Sequence, residues 1–233
     1  MNLLKKLMLT LITFYPFIGN AASVPSDCTW YANSTDNLKA PDYVLLNQSA
    51  RYIAEANTIH ILGGQARFHT EEDGFYAEDS FNLQGDASVH MTFNSNLGEQ
   101  FVWVQFGYLS PTENCIYNKV NVQSYRPNAE VDVVNSGQTL FASIKNVTID
   151  PLSKVNIEGD GVAKVSFRFE HEDYPHKEST VPSSSLSITY SPVYSGPYRV
   201  YAIVSDGYFH STVNLGNVLF LGGQPCTTCG PIK

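Results

Sequence analysis

Apolar side chains recur at every second residue along much of this chain, and that rhythm constrains its fold more than any other feature. Residues 87–93 put Ala87, Val89, Met91 and Phe93 on one side and Ser88, His90 and Thr92 on the other. Residues 162–169 repeat the pattern, with Ala163, Val165, Phe167 and Phe169 opposite Val162, Lys164, Ser166 and Arg168. A period of two marks a strand with one face on a core and one in water. Residues 101–108 (FVWVQFGY) are apolar on both faces, as a central strand is. Along residues 139–149 the phase changes: Leu140, Ala142 and Ile144 share one face, then Val147 and Ile149 the other. That switch predicts a bulge near Lys145-Asn146. Tyr198 to Ser205 and Tyr208 to Leu215 flank Asp206-Gly207, which predicts a hairpin with a two-residue turn. One helix is expected, over residues 47–56, where Ala50, Ile53 and Ala54 fit helical spacing. Many strands without helical spacers point to an all-β fold built as antiparallel β-sandwich.

Export is the second expectation. Residues 1–22 read as a signal peptide. Lys5 and Lys6 supply the positive start, Leu7 to Ile18 a short apolar run, and Gly19-Asn20-Ala21-Ala22 the small residues where cleavage would follow Ala21 or Ala22. The run is too short for a comfortable membrane span, and no later run reaches that length. Cleavage would leave 12 basic residues against 22 acidic ones, moving the net charge from −8 to −10. An acidic exported chain is poorly suited to nucleic acid and suits cations or basic partners. Disorder is excluded, since 43% of the residues are hydrophobic and supply a core.

Four cysteines, Cys28, Cys115, Cys226 and Cys229, fit an oxidising compartment. The preferred pairing is Cys28–Cys115 with Cys226–Cys229, and the sequence leaves the other two connectivities open. Cys226-Thr227-Thr228-Cys229 has redox-motif spacing but stands among Pro225, Gly230 and Pro231 rather than at a helix start. The chain divides into a tail or loop at 23–41, a sandwich domain at 42–126, a second at 127–222 and a Cys-containing tail at 223–233. The boundary is set at Tyr125-Arg126-Pro127-Asn128.

Residues 187–213 (SITYSPVYSGPYRVYAIVSDGYFHSTV) resemble the late strands of immunoglobulin-like domains, especially PKD-like and bacterial Ig-like ones. Ser195-Gly196-Pro197-Tyr198 and Val204-Ser205-Asp206-Gly207 carry the likeness. The resemblance implies two Ig-like domains in tandem, with Tyr198 bonding its hydroxyl back to the chain as a corner tyrosine. It is a likeness of fold and implies no activity.

Several clusters could carry chemistry. Glu71, Glu72, Asp73, Glu78 and Asp79 form the densest acidic stretch, a candidate Ca²⁺ site whose spacing is not that of an EF-hand. Asp150, Glu158 and Asp160 are a thinner one. His171 and His176 are the closest histidine pair, but Pro175 opposes a helix that would present both, and a polar loop is expected there. His90 and His210 fall on polar strand faces, as surface residues. No nucleophile elbow, Walker loop or dinucleotide-binding motif occurs. Tyr190, Tyr194, Tyr198 and Tyr201 are expected mainly in core packing, with sugar or protein contact as the alternative. The expected function is a secreted or periplasmic, non-catalytic binding or structural-interaction protein of the cell envelope or secretome, with a protein or glycan partner and no cofactor. A hydrolase with scattered carboxylates and a calcium-rigidified spacer are the alternatives.

Overall fold

The computed structural model describes residues 22–56, 64–107, 114–157, 163–172, 179–183 and 186–222. In chain order the strands of the first part are β1 (Thr29–Trp30), β2 (Asn37–Lys39), β3 (Tyr43–Leu45), β4 (Ala50–Glu55), β5 (Gln65–Thr70), β6 (Gly74–Ser80), β7 (Asp86–Met91), β8 (Gly98–Gly107) and β9 (Asn114–Gln123). There follow β10 (Asn128–Asn135), β11 (Leu140–Thr148), the one-turn helix α1 (Lys154–Ile157), β12 (Lys164–His171), β13 (Ser179–Ser183), β14 (Ser187–Tyr190), β15 (Gly196–Ser205) and β16 (His210–Phe220).

The chain is an all-β sandwich protein in which one connectivity occurs twice. In the first part β2-β4-β7 form one sheet and β9-β8-β5-β6 another. In the second, β10-β11-β14 and β16-β15-β12-β13 follow in the same chain order. Each pair of sheets encloses its own apolar cluster. The first holds Tyr52, Phe68, Met91, Phe93, Val104 and Phe106; the second holds Leu140, Phe167, Phe169, Tyr198, Val200 and Phe220. Almost all ladders are antiparallel. The exceptions are β1 and β3, which run parallel to β9 along its outer edge, at Ile116–Tyr117 and at Asn121–Gln123. Pairing two short strands with one edge leaves little of it open to other chains.

The period-two reading holds where it is clearest. Ala87, Val89, Met91 and Phe93 are buried, as are Ala163, Val165, Phe167 and Phe169. β8 is interior to its sheet, between β9 and β5. The bulge lies where the phase changes: Glu130 pairs with Asn146 and Val131 with Ile144, leaving Lys145 as the extra residue.

Three expectations need correction. Residues 50–55 are strand β4, not helix, with Tyr52 and Ala54 on the core face. The turn at Asp206-Gly207 has four residues, because Ser205 pairs with His210. Only Gly207 takes positive φ there; the Asp206 carboxylate accepts the amides of Tyr208 and Phe209, at 3.1 and 2.7 Å. That Asx geometry needs a longer loop than a two-residue turn. Finally, His171 is no loop residue. It ends β12 on the inward face, is 4% exposed, and packs edge-on against the Tyr198 ring at 4.9 Å. The expected leader at 1–22, apart from Ala22, and the tail at 223–233 lie outside the described residues.

Candidate functional site

Alternation in the first large sheet leaves one face outward. Val102, Val104 and Phe106 of β8 enter the core, so Phe101, Trp103 and Gln105 face the other way. By the same rule Tyr117 and Lys119 of β9 and Arg67 and His69 of β5 share that outer face.

The ladder registers then place five rings in one line across the sheet. Trp30 pairs with Tyr117, Tyr117 with Trp103, Trp103 with His69, and His69 with Phe75. Trp30 meets Tyr117 edge-on at 5.0 Å, His69 lies parallel to Trp103 at 5.3 Å, and Phe75 meets His69 edge-on at 5.6 Å. Phe101 flanks the row, 5.9 Å from Tyr117, with the Lys119 ammonium 5.3 Å from its ring centre. Trp103 is 4% exposed at the middle of the row, and Phe75 is 55% exposed at its end. Ion pairs stand beside it: Lys119–Glu99 at 2.9 Å and Arg67–Glu78 at 3.8 Å. An aromatic centre with charged neighbours is the composition of a protein contact patch.

Residues 22–28 reach onto this face. The Ala22 amide donates to the Glu71 carbonyl at 3.0 Å, and at the other end Cys28 is bonded to Cys115, with Cα atoms 4.5 Å apart. A cavity of about 350 Å³ lies between, lined by Val24, Pro25, Ser26, Cys28, Glu71, Phe101 and Tyr117. The Glu71 carboxylate is held there by the Phe101 amide, which donates to its Oε2 at 3.0 Å.

The acidic stretch is distributed rather than gathered. Glu71, Glu72 and Asp73 make the β5–β6 turn, while Glu78 and Asp79 stand on β6. Glu72 accepts the Asn94 amide at 3.0 Å and the Ser95 hydroxyl at 2.9 Å. Asp73 meets Thr70, whose Oγ1 accepts the Asp73 amide at 3.0 Å; burial and the neighbouring Glu72 raise its carboxyl above the ordinary value. Asp79 accepts the amides of Ser80 and Ser88. Among the described residues no three His, Cys, Asp or Glu side chains converge in a metal-sized group. Asp150 is 1% exposed and accepts four protein donors; Glu158, Asp160, His60, His176, Cys226 and Cys229 lie outside the described residues. His90 and His210 are exposed, as expected. Tyr190 and Tyr198 pack in the second core, and the Tyr198 hydroxyl donates to the Tyr194 carbonyl at 3.0 Å.

The five-ring row was missed in the sequence. Its signal lay in FVWVQFGY, whose outward residues are as aromatic as its inward ones, but the neighbours that complete the row come from distant strands.

No family model matches the sequence, and no curated protein does. Solved structures similar to the chain include a protein of Corynebacterium diphtheriae described as membrane-anchored (10% identity, 82% of this chain and 59% of that one, TM-score 0.35). Others are part of a 1.5-MDa bacterial ice-binding adhesin (10%, 74% and 60%, 0.36) and a group of titin domains (9%, 79% and 65%, 0.41). The chain thus spans about three fifths of the length of these three structures. No helix among the described residues is long and apolar enough to cross a membrane.

Proposed function

We propose that this protein is an exported, non-catalytic binding module of the cell envelope or secretome. In this reading it is two Ig-like sandwiches in tandem that divide at 126/127, the first also taking in β1 and β2 of the expected tail at 23–41, and it holds a protein or glycan through the outer face of its first large sheet. The observation that carries the reading is the row Trp30–Tyr117–Trp103–His69–Phe75, set among ion pairs. Trp30, Tyr117, His69 and Phe75, the partly or well exposed rings packed around the buried Trp103, give a contact area with little entropy left to lose on binding. The repeated connectivity and the Tyr198 corner bond support the tandem Ig-like reading. The Cys28–Cys115 bond supports an oxidising compartment.

The test is binding of the labelled protein to cell-envelope fractions from its source, beside a variant carrying Phe75→Ser and Tyr117→Ser. Saturable binding that falls at least about tenfold in the variant is expected, the loss typical of central aromatic contacts. Equal binding by a variant with an unchanged melting temperature overturns the outer face as the site.

A further inference from the structure

We infer that the cavity beneath residues 22–28 is a pocket for the cationic side chain, lysine or arginine, of a peptide partner. The inference rests on reading the outer face as a binding face, and it assigns that face its ligand chemistry.

Three observations carry it. The first is the lining: two aromatic side chains, Phe101 and Tyr117, and one carboxylate, Glu71, with no basic residue among them. A cation gains from a ring face and from a nearby carboxylate together, and more so where water is partly excluded. The second is that Phe101 already takes a cation. Lys119 holds its ammonium 5.3 Å from the ring centre, neutralised by Glu99 at 2.9 Å, so the protein itself shows the contact that the pocket would repeat. The third is charge and size. The chain carries −8 overall and −10 without its expected leader, Glu72 and Asp73 adjoin the pocket through the same turn, and Asp27 is exposed in the covering segment. About 350 Å³ suits one long side chain with its backbone rather than a folded surface.

Glu71 is fixed for this role. The Phe101 amide bonds one carboxylate oxygen, and the Glu71 amide donates to the Phe101 carbonyl at 3.3 Å, so the turn and strand β8 hold the anion at the rings. A sugar is the weaker fit. Trp30 meets Tyr117 at 63° and Phe101 meets Tyr117 at 63°, so the rings near the pocket form no flat platform on which a pyranose would lie.

The protein reports on the site itself, because its two tryptophans, Trp30 and Trp103, both stand in the row. The probes are lysine and arginine capped as N-acetyl methylamides, capped glutamine, and a neutral disaccharide, each titrated against intrinsic fluorescence. A saturable change is expected with capped lysine or arginine and not with the other two. Glu71→Gln keeps an oxygen for the Phe101 amide and loses the charge; it weakens binding about fivefold or more, as does Phe101→Leu, which keeps an apolar side chain and loses the ring. Glu72→Gln, the same charge change on a residue bonded to Asn94 and Ser95, leaves binding unchanged. Equal response to capped glutamine, or full binding by Glu71→Gln, overturns the inference. A response to the disaccharide alone overturns it too, while leaving the outer-face reading standing. Silence with every probe also overturns the cation pocket, and the envelope-binding comparison then decides the outer face by itself.

Discussion

Tyr52 and Tyr198 each sit at the heart of an apolar cluster, and they differ by one hydrogen bond. The Tyr198 hydroxyl donates to the Tyr194 carbonyl at 3.0 Å. The Tyr52 hydroxyl, fully buried, finds no hydrogen-bond partner among the described residues. Burial, aided by Tyr190, pushes the Tyr198 phenol up to about 12, and burial pushes that of Tyr52 up as well. Removing an unpaired buried hydroxyl relieves a desolvation penalty, whereas removing a paired one strands its acceptor. Tyr52→Phe is therefore expected to raise stability by about 1 kcal/mol and Tyr198→Phe to lower it by about as much, read from urea unfolding at neutral pH. The alkaline limb follows in sign. A phenol raised on folding stabilises fully below its ordinary value of 10.0, and that stability is lost as pH rises through the folded value. Gly196 makes a similar point about space. Its φ is +148°, and a Cβ there would stand 2.2 Å from His171 Nε2. Gly196→Ala is expected to cost about 2–4 kcal/mol, seen as a lowered melting temperature.

At the scale of the element, what could be read from the sequence was whatever a strand states about itself. The alternations at 87–93 and 163–169 are local, and so is the phase change that marks the bulge at Lys145. Strand β4 was misread because Ala50 and Ala54 are small and weigh lightly in either period. Its antiparallel pairing with β7, from Ala50↔Met91 to Glu55↔Asp86, decides the conformation from 31 to 41 residues away. The aromatic row was hidden for the same reason: each strand contributes one ring, and only registers bring the rings into line. The acidic stretch stood out in the sequence, but Glu71, Glu72, Asp73 and Asp79 are bonded to amides or hydroxyls and Glu78 pairs with Arg67, none of them to its fellows. Covalent closure belongs to this scale too. The Cys28–Cys115 bond spans 87 residues and ties the segment ahead of β1 to β9. Chain entropy for so long a loop gives about 4–5 kcal/mol, and measured losses run about 2–5. Changing both residues to alanine is expected to lower stability within that range, and limited proteolysis should then cut first within 22–28.

Across the whole molecule, the two clusters are joined by Ser124–Pro127, and one buried acid organises that passage. Asp150 accepts the Ser124 amide at 2.8 Å, the Ser124 hydroxyl at 2.7 Å, the Tyr125 amide at 3.2 Å and the Leu152 amide at 2.8 Å. Around it, Tyr208 of the β15–β16 turn packs on Tyr43 at 4.1 Å and donates its hydroxyl to Asp42, and Arg126 covers Phe209 at 5.2 Å. Burial alone would raise the Asp150 carboxyl; the four donors outweigh it and hold the group below its ordinary 3.8. A carboxyl lowered on folding stabilises fully above its unfolded value, and that stability is lost as pH falls through the folded one. Asp150→Asn keeps the shape but turns one carboxylate oxygen into an NH2; with the remaining oxygen kept on Ser124 and Tyr125, that NH2 faces the Leu152 amide, and the lost charge and lost acceptor should cost about 2–3 kcal/mol at neutral pH. The cost should shrink as pH falls below 3.8, because the unfolded carboxyl then takes up a proton that the native one, held lower by its donors, does not. Urea midpoints for the two proteins between neutral pH and pH 3 would show the curves converging; a gap that stays constant would mean that Asp150 acts there through its shape and not its charge.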